Sequence, residues 1–283
     1  MGSPPLIDPA AVAARHQGLT IVSPIRPGGQ KLVWKVTYSG QTYALKVIRS
    51  APETIERAKR EIDIMRQCES PHLVRMGPLD LHDIPIGGQA FVYYLEEFID
   101  GSPLDGLTKP LALGSCRSLG LHLAEAISSL WQKHFVHRDI KPSNVMLRAD
   151  GQNFVLLDAG LALDLAGPSL SRAGAVVGTQ LYWCPDQIKL PKRQLDFRTD
   201  LYAVGTCMYE CITGVHPLWN PRVGQIDLID NILNQIPLAL TDFRPDTSQS
   251  LQDIVLRTLE KEPNLRYSRL EHFVTELEAA QIP

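Results

Sequence analysis

Apolar residues follow two regimes along the chain. Over residues 20–49 the pattern is strand-like, with Leu32-Val33-Trp34-Lys35-Val36-Thr37-Tyr38 and Thr42-Tyr43-Ala44-Leu45-Lys46-Val47-Ile48 flanking Ser39-Gly40. Two β-rich runs around a Gly turn predict a hairpin. Residues 52–68 then place Ile55, Ala58, Ile62 and Met65 at helical spacing. Strand-like runs follow at 73–76 and 91–98, and Asp100-Gly101-Ser102-Pro103 is a turn-rich break. Beyond it helical periodicity dominates, at 113–133, 201–213, 226–235, 251–259 and 270–280. Short strand-like runs lie between the first two of these. No repeat or low-complexity tract interrupts the pattern. It predicts an N-terminal extension at 1–19, a small β-rich lobe over 20–99, and the end of a hinge with a larger helical lobe over 100–283.

Composition narrows the class. Hydrophobic residues make up 44% and charged residues 21% of 283 residues, ordinary globular usage that excludes disordered and collagen-like chains. The formal net charge of -3 excludes a strongly basic chain that binds nucleic acid non-specifically. The longest apolar stretch, 201–215, has Glu210 inside it and is shorter than the ~20 residues a spanning helix needs. No membrane segment is therefore expected. Met1-Gly2-Ser3-Pro4 has neither a charged nor an apolar leader region, and Leu6 breaks the myristoylation pattern. Five cysteines without a CxxC pair signal neither a disulfide framework nor a zinc site. Cys207 and Cys211, four apart in an apolar segment, are expected as buried thiols. The expected compartment is the reducing cytoplasm.

The most specific chemistry lies in His137-Arg138-Asp139-Ile140-Lys141-Pro142-Ser143-Asn144. This run resembles the catalytic loop of protein kinases, H-R-D-x-K-P-x-N. Phosphoryl transfer, which the resemblance implies, explains each choice: Asp139 would orient the attacking hydroxyl and take its proton, Lys141 would neutralise charge on the moving phosphoryl group, and Asn144 would give an amide oxygen to a magnesium shell. Six fixed positions would match by chance with odds of order one in 10⁵.

The resemblance extends over about residues 22–273. Phe154-Val155-Leu156-Leu157 leads into Asp158-Ala159-Gly160, at the place of the family's D-F-G, which makes Asp158 the chelating magnesium ligand. Ala159 replaces the usual Phe, which implies thinner packing there and an easily moved loop. Ala44-Leu45-Lys46 stands for A-x-K, so Lys46 is expected on the α- and β-phosphates, with Glu61 as its ion-pair partner. In the Gly-rich loop, Arg26, Gly28 and Lys31 face the motif's three glycines; only Gly28 matches, with Gly29 beside it. Glycine would still let the backbone approach phosphate. At the hinge, backbone groups of Glu97 and Ile99 are expected on the adenine edge, with Val33, Ala44 and Met146 enclosing its faces. Glu96 then falls where the family gates the pocket behind adenine, unless the register there slips by one residue.

Gly178-Thr179-Gln180-Leu181-Tyr182-Trp183-Cys184-Pro185-Asp186 is similar to the closing segment G-T-x-x-Y-x-A-P-E. Asp186 replaces Glu, so its pair with Arg266 is expected to be longer or to need a backbone shift. Asp200 matches the Asp that opens the central helix and braces the catalytic loop. Thr179, expected against Asp139 and Lys141, favours Ser or Thr acceptors, and Ser169 or Ser171 is expected to be autophosphorylated. Arg138 is the expected partner of that phosphate.

The resemblance implies a bilobal α+β fold and a Ser/Thr protein kinase that uses ATP and Mg2+ on protein substrates, in the style of bacterial relatives. Two alternatives stand beside it. A pseudokinase scaffold is favoured by the degenerate glycine loop and Ala159, and opposed by Lys46, Glu61, Asp139, Asn144 and Asp158 together. A small-molecule phosphotransferase of the same fold generally lacks Lys141 and the 178–186 segment. Oligomeric state leaves no mark in the sequence.

Overall fold

The computed structural model describes residues 8–25, 31–164, 181–219 and 225–282. The chain divides into two compact units, one within residues 1–67 and 74–99, the other within 68–73 and 100–283. Gly28, Gly29, Ser169, Ser171 and Thr179 lie outside the described residues.

In the first unit, β1 (Leu19–Pro24), β2 (Lys31–Tyr38), β3 (Gln41–Arg49), β4 (His82–Ile86) and β5 (Gln89–Glu97) form an antiparallel sheet in the order β1-β2-β3-β5-β4. The predicted hairpin is β2–β3, paired from Lys31↔Ile48 to Tyr38↔Gln41. Ser39 and Gly40 close it at φ 50° and 78°, the left-handed pair whose twist suits antiparallel strands. Strand alternation sends Leu45, Val47, Phe91, Tyr93 and Leu95 to one face. There they pack with Trp34, Val36, Leu79 and Val12, the last on the short helix α1 (Ala10–Ala13). Ala44, Lys46 and Ile48, with Val92, Tyr94 and Glu96, face the other way and are also buried. On that side Glu61 of helix α2 (Pro52–Gln67) reaches Lys46.

Two strand expectations change. Residues 73–76 form no strand; Leu73 and Met76 make only isolated bridges, to Leu156 and Glu96. The additional strand is β4, whose sequence His82-Asp83-Ile84-Pro85-Ile86 is too polar to stand out. It lies at the sheet edge, where polar residues and a proline are tolerated.

The second unit is helical around α5 (Phe197–Thr213), buried along almost all its length. The Asp196 side chain accepts from the Arg198 N–H at its start, and Gly214 ends it at φ 81°. Among the described residues the other helices are α3 (Leu113–Trp131), α4 (Pro185–Lys189), α6 (Gln225–Asn234), α7 (Gln249–Thr258) and α8 (Leu270–Ala279). Helices α5 and α7 approach so closely at Gly205 that an added Cβ would lie 1.8 Å from Thr258 Oγ1. Two small ladders complete the unit: β6 (Gly101–Pro103), β8 (Val145–Arg148) and β9 (Phe154–Leu156), and β7 (Phe135–Val136) with β10 (Leu163–Asp164). The turn-rich segment 100–103 is thus largely a strand. Gly101 permits it, since a Cβ there would meet Leu147 O at 1.9 Å.

All five cysteines are buried and free, Cys207 and Cys211 as expected. Among the described residues, no helix is long and apolar enough to cross a membrane.

The Asp186–Arg266 pair is not lengthened, against one of the two expectations for it. Arg266 Nη1 and Nη2 reach Asp186 Oδ2 and Oδ1 at 2.7 and 3.0 Å, a close two-point pair despite the shorter side chain. The remaining guanidinium donors go to the Glu260, Lys261 and Arg198 carbonyls, and Tyr202 lies 4.9 Å from the guanidinium carbon. The pair is fully buried. Removing one partner of such a pair strands a charge, which typically costs about 3–5 kcal/mol. Arg266→Met is expected to lose that much stability in urea denaturation, and Asp186→Leu added to it to recover most of the loss. A loss below about 1 kcal/mol for Arg266→Met would contradict this role.

Candidate active site

The loop with the candidate catalytic residues begins where β7 ends and runs from His137 to Asn144. Asp200, in the first turn of α5, accepts the His137 and Arg138 N–H groups at 2.7 and 2.8 Å. Arg138 has φ 67°, a left-handed conformation that costs a non-glycine residue about 1–3 kcal/mol. Two hydrogen bonds to one buried carboxylate hold it there. Burial pushes the Asp200 carboxyl up from its ordinary value, while the two N–H groups and the nearby His137 and Arg138 oppose that shift.

His137 ties the loop to the strand that follows. Its Nδ1 accepts from the Asp139 N–H at 3.3 Å, so Nε2 carries the ring proton and faces Leu157 O at 3.2 Å. The Leu157 N–H donates to Asn144 O at 2.8 Å. Leu157 is therefore fixed from both sides just ahead of Asp158. Asp158 itself has φ 57° and accepts from the Gly160 N–H. Ala159 is buried after it.

Two side chains converge on Asp139. Lys141 Nζ lies 2.9 and 2.8 Å from its two carboxylate oxygens. Asn144 Nδ2 donates to Asp139 O at 2.8 Å and to Oδ2 at 2.9 Å. With its nitrogen turned to Asp139, Asn144 presents its amide oxygen in the opposite direction. A carboxylate held this way is oriented, paired with a cation, and kept mostly from water.

Two supports escaped sequence reasoning. Gln187 of α4 donates to Arg138 O at 3.1 Å and accepts from the Cys184 N–H at 3.1 Å. His72 and His122 stack with ring centroids 3.8 Å apart and grip β9, His72 Nδ1 at Phe154 O and His122 Nδ1 at Phe154 N. Burial and the neighbouring His72 lower His122 to about 4, so it stays neutral and accepts. Neither support has a local sequence signature, because the partners are far apart in the chain.

The first unit holds the other charged group. Lys46 sits opposite Val33 on β2 and Tyr94 on β5. Its Nζ lies 2.6 Å from Glu61 Oε1 and 2.7 Å from Glu96 Oε2. Lys31 Nζ takes the second Glu61 oxygen at 2.7 Å. The expected pair Lys46–Glu61 thus lies in a chain of charges that also includes Lys31 and Glu96, neither of them foreseen as its partners. Burial raises the Glu96 carboxyl to about 7, against the opposing pull of Lys46.

Among the expected adenine contacts, Ala44 is buried beside Lys46 on β3, and Ile99 is buried in the same unit. Met146 pairs with Pro103 and Val155 in the second unit. The Glu97 N–H donates to Arg75 O at 2.9 Å, so a nucleotide contact from Glu97 falls to its carbonyl.

A carboxyl raised on folding binds protons more tightly in the folded chain than in the unfolded one. Its stabilising contribution is full below about pH 4 and fades as pH rises through about 7. Between pH 5 and 8 the wild-type protein is therefore expected to lose stability relative to Glu96→Gln, by on the order of 2 kcal/mol. Parallel urea titrations at the two pH values measure this. Equal pH slopes for the two proteins would count against it.

Comparison with known proteins fits this geometry. The protein kinase domain model matches residues 27–277. A probable serine/threonine-protein kinase of Streptomyces coelicolor is 30% identical over 254 residues, covering 86% of this chain and 36% of that protein. The serine/threonine-protein kinase pkn3 of Myxococcus xanthus is 32% identical over 251 residues, covering 83% of this chain and 44% of that protein. Pkn1 of the same organism is 31% identical over 250 residues, covering 85% and 35%. The chain thus spans well under half the length of these relatives. With its sheet unit, its helical unit and a family match over most of its length, the chain belongs to the protein kinase domain family.

Proposed function

We propose that this chain is an ATP-dependent protein serine/threonine kinase that moves the γ-phosphate of Mg-ATP to hydroxyls of proteins, its own among them. The observation that carries the reading is the Asp139 carboxylate, oriented by Asn144 and paired with Lys141.

In the reaction the acceptor hydroxyl oxygen forms a bond to the γ-phosphorus while the bond from that phosphorus to the β,γ-bridging oxygen breaks. ADP leaves with the electron pair, and Asp139 orients the hydroxyl and accepts its proton. Lys141 offsets negative charge on the transferring group. Lys46, held by Glu61, receives the α- and β-phosphates, while Gly28 and Gly29 are assigned to their backbone cradle. Val33, Ala44, Glu97, Ile99 and Met146 are assigned to the adenine.

Asn144 and Asp158 are the candidate magnesium ligands. The oxygen donors suit a hard cation, and the Asn144 nitrogen is already committed to Asp139. A magnesium ion would be held through these two groups together with the substrate phosphates, and would supply positive charge to offset that of the phosphates.

Thr179 is assigned to the acceptor side, and Ser169 or Ser171 to autophosphorylation with Arg138 as phosphate partner. The buried, unbridged cysteines support a reducing cytoplasmic setting for this domain.

The test is transfer of labelled γ-phosphate to the protein itself and to a generic basic protein. Asp139→Asn is expected to reduce transfer at least 10²-fold, the usual scale for a positioned general base. Mass spectrometry is expected to find the autophosphorylated label on Ser169 or Ser171. Nucleotide binding without any transfer would instead favour the scaffold reading.

A further inference from the structure

Glu96 occupies a place where the kinase reaction has no use for a carboxylate. It is buried on β5, on the same sheet face as Lys46, and its Oε2 lies 2.7 Å from Lys46 Nζ. Glu61 is also on Lys46, at 2.6 Å. One ammonium therefore faces two acids at near-equal distance. We propose that Glu96 is a positioning residue that competes with nucleotide phosphate for Lys46 and so sets the affinity of this chain for ATP. The inference rests on the assignment of Lys46 to the phosphates made above.

Charge bookkeeping gives the competition its direction. The groups that face Glu96 are Lys46 from β3, Glu61 from α2 and, one step further, Lys31 from β2. With Glu96 ionised, the two lysines and two glutamates sum to zero. With Glu96 neutral they sum to +1. A polyanion is drawn to the second state and repelled by the extra carboxylate of the first, and burial makes either effect larger than it is in water. An ionised Glu96 also holds the Lys46 ammonium in an ion pair that phosphate must compete with.

The same arithmetic couples binding to a proton. Phosphate arriving at Lys46 adds negative charge beside Glu96 and favours its neutral form, and by reciprocity the neutral form favours phosphate. Burial already raises Glu96 to about 7, so the switch falls near neutral pH. If phosphate binds only the neutral form, ionisation of Glu96 weakens ATP binding about tenfold between pH 6 and pH 8. Glutamine keeps the shape and removes the charge, so it is already in the permissive state.

The experiment is calorimetric titration of Mg-ATP and of adenosine into wild type, Glu96→Gln, Glu96→Met and Lys46→Met, at pH 6 and pH 8. The wild-type to Glu96→Gln ratio of ATP dissociation constants is expected to be near one at pH 6 and about tenfold at pH 8. Wild type is expected to take up close to one proton per ATP at pH 8, read from two buffers of different ionisation enthalpy, and Glu96→Gln none. Adenosine, which lacks phosphate, is expected to show no such pH-dependent ratio. Glu96→Met is expected to follow Glu96→Gln, so that misfolding of one variant leaves the other as the reporter. A pH-independent ratio, with Lys46→Met still weakening ATP but not adenosine, would overturn the role of Glu96 alone. ATP binding unaffected by Lys46→Met, or no ATP binding by any of the four proteins, would overturn the phosphate assignment of Lys46 and this proposal with it.

Discussion

One buried carboxylate, Asp200, holds the geometry of the reactive loop. It takes two consecutive backbone N–H groups and so fixes Arg138 in a left-handed conformation that the loop would not adopt by itself. From that fixed point the chain turns Asp139 toward Lys141 and Asn144. His137 and Asn144 then pin Leu157 on either side of its peptide, and Asp158 follows. The candidate reactive groups sit on loops, yet each loop is tied to helix α5 or to a strand. Helix α5 can serve as the post because it is buried nearly throughout and capped at both ends.

Paired burial of charge recurs across the molecule. Asp186 and Arg266 neutralise one another in the helical unit, and Lys31, Glu61, Lys46 and Glu96 do so in the sheet unit. Such groups add little net stability against apolar replacements, but leaving one unpaired is expensive. The consequence is specificity of arrangement. Arg266 satisfies Asp186 and three carbonyls at once, which the shorter aspartate does not prevent. In the sheet unit, the same demand for pairing brings Glu96 to Lys46 and gives the lysine two acids.

Much of the fold could be read from the sequence because its local signals agree with its packing. The β2–β3 hairpin, helix α2 and the helices from α3 onward follow periodicity closely, since each has one face or its whole surface in a core. Strand β4 was illegible because an edge strand buries only Ile84 and carries a proline. The short α4 and the strand at Gly101–Pro103 were hidden by turn-like composition. At the site, Asp139, Lys141 and Asn144 could be named because they lie within six residues of one another, and Asp200 because its motif opens a helix. Gln187, the His72–His122 stack and Glu96 on Lys46 could not be found this way. Each is a contact between distant residues whose types are common on ordinary surfaces.

The dependence of the loop on Asp200 is most directly tested by amide hydrogen exchange in wild type and Asp200→Ala. The His137 and Arg138 amides are predicted to be protected in wild type and to exchange at least 10²-fold faster in the variant, the scale expected when two hydrogen bonds to a buried charge are lost. Helices α3 and α8 should keep their protection and so report an intact fold. Unchanged protection of the two loop amides, with those helices also protected, would contradict the account.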